Sequence, residues 1–86
     1  MGLEVVELIL AYEEEFDIEI NESYASNMIS PLQVIETIEK ILITDKRPFE
    51  RFQIEATVKE ITITQLKLKE SDYIEDAGFR DHYGVG

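Results

Sequence analysis

Carboxylates are the reactive groups this chain supplies in quantity: 19 Asp and Glu stand against 8 Lys and Arg, one His and no Cys. The stretch 3–16 carries Glu4, Glu7, Glu13, Glu14 and Glu15, interleaved with apolar residues that include Val6 and Leu10. An acidic surface of this kind steers toward basic protein surfaces, and salt weakens such attraction because exposed charges are screened. The plainer reading is a solvated helix face with its aliphatic residues partly buried. His82 lies beside Asp81, with Glu75 and Asp76 nearby, but one His among carboxylates in a turn-rich segment reads as a loop histidine rather than a metal ligand. No Asp-rich calcium loop, Gly-rich phosphate loop or Ser/His/Asp arrangement is present. The sequence therefore offers no catalytic residue and no metal site, and is read as a non-enzyme.

The charge is asymmetric. Residues 1–39 hold ten acids and no base, a charge of −10, whereas from Lys40 onward nine acids face eight bases, leaving −1 of the total −11. Such a surface repels phosphate backbones, which argues against nucleic acid as a partner. No apolar run approaches the roughly 18 residues needed to span a bilayer, and the N-terminus lacks the features of a signal peptide, so no membrane association is expected. The absence of Cys excludes disulfides and fits a cytoplasmic location. Eighty-six residues make one small domain with a modest core.

The elements that would position the acidic face follow from periodicity. Leu3, Val5, Val6, Leu8, Ile9, Tyr12 and Phe16 recur at i, i+3, i+4 and predict a helix over 3–16. Residues 16–20 form an extended connection, and 22–28 at most a short helical turn. Ser30-Pro31-Leu32-Gln33 is a helix start, with Ser30 at the N-cap, Pro31 at the first helical position and Gln33 placed to close a capping box. Val34, Ile35, Ile38, Ile41 and Leu42 then form one stripe. Pro48 and its charged neighbours mark a linker. Over 51–69 two periods compete. Phe52, Ile54, Ala56 and Val58 alternate as in a strand, while Ile54, Val58, Ile61, Gln65 and Leu68 lie at helical spacing, and periodicity leaves both open. In the turn-rich tail, Tyr73, Phe79 and Tyr83 are the expected core contacts.

The stretch LEVVELILAYEEEFDIEINE (3–22) resembles the second helix and following loop of the acyl carrier protein family, and Ser30 to Leu42 resembles that family's last helix. IEATVKEITITQLKLKESDYIEDAGFRDHYGVG (54–86) resembles the family's first helix and long loop, at the opposite end of the chain from where the family has it. The resemblance implies an all-α, acyl-carrier-like four-helix bundle of three long helices and one short, in permuted order II-III-IV-I. It makes residues 1–86 one domain, with 1–42 similar to helices II to IV, 43–51 a linker, and 52–86 similar to helix I and the long loop. A nine-residue linker extends on the order of 30 Å, and a 14-residue helix is about 21 Å long, so 43–51 can run the length of the bundle. The resemblance also favours helix over strand at 51–69, and implies a core that includes Leu8, Phe16, Ile20, Ile35, Ile38, Val58, Ile61, Leu66 and Phe79.

In the family, the serine of an Asp-Ser-Leu motif carries phosphopantetheine. Here Gly2 stands at that position, flanked by Leu3 and, across the permutation, by Gly86, so no phosphopantetheine is expected on this chain. The first turn of the leading helix, with Gly in place of an Asp-Ser cap, is expected to fray. Glu4, Val6, Glu7, Leu10, Glu13 and Glu14 match positions with which the family docks on basic patches of fatty-acid or polyketide biosynthesis enzymes. A carrier-like docking module of that biosynthesis, as monomer or swapped dimer, is the expectation. The alternatives are an acidic non-carrier interaction module, and half-domains of a swapped, engineered or tandem carrier.

Overall fold

The described residues form four α-helices in the order α1 (Leu3–Phe16), α2 (Glu22–Ala25), α3 (Pro31–Thr44) and α4 (Arg51–Leu66), followed by a 3-10 turn at Glu70–Asp72. This computed structural model describes residues 3–84, with side chains from residue 5 onward. Gly2, Gly86, the side chains of Leu3 and Glu4, and the cap in front of α1 lie outside the described residues. Among the described residues the regular structure is all helical, three helices long and one short.

On α1 the inward edge is Leu8, Ile9 and Tyr12, with Val5 and Phe16 partly buried against the core. Burial of α3 is denser, because Val34, Ile35, Ile38, Ile41 and Leu42 all turn inward and Val34, Ile35 and Ile38 are solvent-free. Its start is capped as expected: Ser30 Oγ accepts from the Gln33 amide at 3.4 Å, with Pro31 at the first helical position. The Gln33 side chain closes the turn one residue further back, accepting from the Ile29 amide at 2.8 Å.

Residues 51–66 are helix, which resolves the competition between the two periods. Ile54, Val58 and Thr62 face the core at i, i+4 spacing, whereas Phe52, which a strand would have placed beside Ile54, is exposed. The expected helical stripe is corrected in its register: Gln65 is exposed, and Thr62 takes the interior position ahead of Ile61, which is only partly buried. A polar pair explains the rotation. Tyr12 Oη lies 2.7 Å from Thr62 Oγ1, both side chains being fully buried, and Thr62 Oγ1 is 2.7 Å from the Val58 carbonyl. The single hydroxyl proton of Thr62 goes to that carbonyl, so Tyr12 is the donor to Thr62. α4 packs against both α1 and α3 within the one chain. The radius of gyration, 12.0 Å, matches the value of about 12 Å for a compact chain of this length.

The connection between α3 and α4 is shorter than the expected 43–51. Ile43 and Thr44 continue α3, which closes at Lys46 in the left-handed region (φ 56°) with the Arg47 amide bonded back to the Leu42 carbonyl at 2.9 Å. This six-to-one closure ends the helix. α1 and α4 close in the same way at Asp17 (φ 52°) and Lys67 (φ 54°), through Ile18 to Glu13 and Leu68 to Ile63 bonds of 3.1 and 3.0 Å. Arg47 then ties the connection to α1, its guanidinium donating to the carbonyls of Phe16 at 2.7 Å and Asp17 at 2.6 Å. These are carbonyls that a helix end leaves without partners.

The tail folds back over the start of α3. The Leu32 amide donates to the Glu75 carbonyl and the Phe79 amide to the Ile29 carbonyl, each at 2.8 Å. Phe79 is buried, and Tyr83 packs against the core while its hydroxyl donates to the Ile74 carbonyl at 2.6 Å and accepts from the Ile74 amide at 2.8 Å.

Candidate functional site

The helical rotation of α1 divides its residues between two faces. Leu8, Ile9 and Tyr12 point into the bundle, and the opposite side carries Val6, 38% exposed, and Leu10, 52% exposed, with Glu7 and Glu14 exposed beside them. At 100° per residue, Glu7, Leu10 and Glu14 follow one another along a single strip with Val6 at its edge. Two apolar side chains are thus held in solvent next to two carboxylates on one helix face.

Glu13 is placed differently. Its Oε2 accepts from the Ile20 amide at 2.7 Å, so this half-buried carboxylate fastens the loop after α1. The Glu4 side chain lies outside the described residues. Of the six expected docking residues, four therefore share an exposed face, one is engaged by the loop, and one is not described.

None of the remaining candidates assembles into a catalytic or metal centre. His82 Nε2 lies 3.1 Å from the Asp72 carbonyl, and its ring stands edge-on to Tyr83 with centroids 4.6 Å apart. Among the described residues no group of three or more His, Asp or Glu side chains is arranged to hold a metal ion. No described helix is long and apolar enough to cross a membrane. The tyrosines are the most perturbed acids. Burial raises the Tyr12 hydroxyl far above its ordinary range. Burial, with the Glu75 carboxylate second, does the same to Tyr73.

A feature that the sequence did not single out flanks the acidic face. A groove runs between α1 and α4, lined by Ala11, Glu14 and Glu15 on one side and Thr57, Glu60 and Ile61 on the other. Glu15 was visible as the end of a Glu-Glu-Glu run. Glu60 became legible only once residues 51–66 were known to be helix, since its partner across the groove is far away in sequence.

Part of the chain is similar to acyl carrier proteins. It is 54% identical over 38 residues to the acyl carrier protein of Trieres chinensis, covering 44% of this chain and 48% of that protein. Against the acyl carrier protein of Buchnera aphidicola it is 47% identical over 39 residues, 45% of this chain and 50% of that protein. With the acyl carrier protein of Campylobacter concisus the figures are 46% over 40 residues, 46% and 52%. The chain thus spans about half the length of the curated relatives it matches. No family model and no solved structure matches it. The similarity supports an acyl-carrier-like relationship over under half of the chain, and the all-helical bundle is consistent with it.

Proposed function

We propose that this chain is an acyl-carrier-like module, permuted in helix order, that docks on basic surfaces of fatty-acid or polyketide biosynthesis enzymes through α1 and carries no phosphopantetheine of its own. The observation that carries this reading is the exposed strip of Glu7, Leu10 and Glu14 with Val6 beside it. It lies in a chain of which under half is similar to acyl carrier proteins. Packing of α4 on both α1 and α3 supports the permuted order, since a carrier bundle needs its first helix against the other long ones. Gly2 has no hydroxyl with which to attack coenzyme A, which supports the loss of the arm. The module has no catalytic role of its own.

The test has two parts. Incubation with coenzyme A and a broad-specificity phosphopantetheinyl transferase should leave the intact mass unchanged, and a mass increase would overturn the no-arm reading. Titration against a ketosynthase at low and high salt should show binding that weakens with salt. Glu7→Gln and Glu14→Gln should each weaken it further at low salt, by an amount worth about 0 to 1 kcal/mol per exposed pair. An unmodified chain that binds no such enzyme would favour an acidic interaction module outside the carrier class, a reading that Gly2 also permits.

A further inference from the structure

We propose that the groove between α1 and α4 is a receptor for one long basic side chain, arginine or lysine, presented by the protein partner that docks on α1. The proposal rests on the docking reading above and extends it to a second helix. Its floor is made of the half-buried Ala11, Thr57 and Ile61, and its rim of the exposed carboxylates Glu14, Glu15 and Glu60. Small side chains at Ala11 and Thr57 leave a notch where the two helices meet. The volume, about 310 Å³, lies at the lower end of ligand pockets.

The chemistry of the lining selects the occupant. Arg and Lys bury a hydrocarbon stem along apolar surface while keeping the charged head among polar groups. Ile61 and Ala11 offer such a surface, and the acids above it come from both helices. Among the described residues, the ion pairs are Arg51 with Glu39 and Glu55, and Lys59 with Glu70, so no described base neutralises these three carboxylates. No base lines the groove. An anionic or purely apolar occupant would meet like charge or leave the rim carboxylates facing it without partners. Glu14 belongs to the α1 strip as well, so a partner seated on that strip has the groove within reach.

The experiment is titration of the full chain against the same ketosynthase, with Glu60→Gln, Glu36→Gln and Glu7→Gln compared at low salt and helix content checked by circular dichroism. Glu36 is an exposed acid on α3, outside the groove, and controls for net charge alone. The expected result is about a two- to fivefold loss of affinity for Glu60→Gln, the scale of one exposed ion pair, with Glu36→Gln nearly unchanged. Equal effects of Glu60→Gln and Glu36→Gln would reduce the groove to long-range charge and overturn the proposal. Loss with Glu7→Gln but none with Glu60→Gln would overturn the groove while leaving the α1 reading intact. No effect from either Glu7→Gln or Glu60→Gln would remove both.

Discussion

At the residue scale, the Tyr12–Thr62 pair is the most specific polar contact in the interior. Its direction, Tyr12 to Thr62 to Val58, follows from a single hydroxyl proton, and it predicts unequal losses in the two single variants. Tyr12→Phe leaves Thr62 with its donor satisfied and should cost about 1 kcal/mol; Thr62→Val leaves the buried Tyr12 hydroxyl without an acceptor and should cost about 1–3 kcal/mol. The double variant, apolar at both positions, should be less destabilised than the sum of the two, as a double-mutant cycle by urea unfolding would measure. The same pair sets an alkaline limit. Burial holds the folded Tyr12 protonated above the ordinary tyrosine range, whereas the unfolded side chain titrates near about pH 10. Above that pH the unfolded chain has lost a proton that the folded chain keeps, so stability falls as pH rises, and the gap between wild type and Tyr12→Phe should narrow. None of this was legible in the sequence. Tyr12 was visible as part of an apolar stripe, but its acceptor is fifty positions away and lies on a segment whose period was ambiguous.

Among the elements, α1 and α3 were readable because their apolar residues keep one period and because Ser30-Pro31 is a local signal. α4 was not, and the reason is physical: Thr57, Val58, Ile61, Thr62, Ile63 and Thr64 are β-branched residues of modest helix propensity, so the helix depends on tertiary packing. Resemblance to a helical family, rather than periodicity, favoured the right state there. The end of α3 was misplaced for a similar reason. Pro48 is the conspicuous breaker, but the chain turns earlier, at Lys46, in a conformation that no lysine advertises. That turn delivers Arg47 to the end of α1, where one guanidinium serves two carbonyls. Arg47→Ala should destabilise the bundle by about 1 kcal/mol, the scale of a typical net hydrogen-bond contribution. Arg47→Lys should not restore the loss, because an ammonium lacks the fork that reaches both acceptors; thermal unfolding of the three proteins checks this.

For the whole molecule, the expected core was largely correct: Leu8, Ile20, Ile35, Ile38, Val58 and Phe79 are buried, and Phe16, Ile61 and Leu66 pack partly against them. The strip of Glu7, Leu10 and Glu14 was legible because it lies on one regular helix. The α1–α4 groove was not, since no pattern along the chain reports which faces of two distant helices adjoin. The tail's attachment to α3 was also invisible, being made of backbone bonds. It also makes one helix a reporter of another part of the chain. The first amides of a helix have no partners within it and ordinarily exchange quickly with deuterium. Leu32 is such an amide, yet it is held by the Glu75 carbonyl, whereas Val34 is held by Ser30 within its own turn. Phe79→Ala, which withdraws the tail's buried anchor, should therefore release the Leu32 amide to exchange while Val34 keeps its protection. The isotope clock at the start of α3 would then time the lifting of a segment that belongs to the other end of the protein.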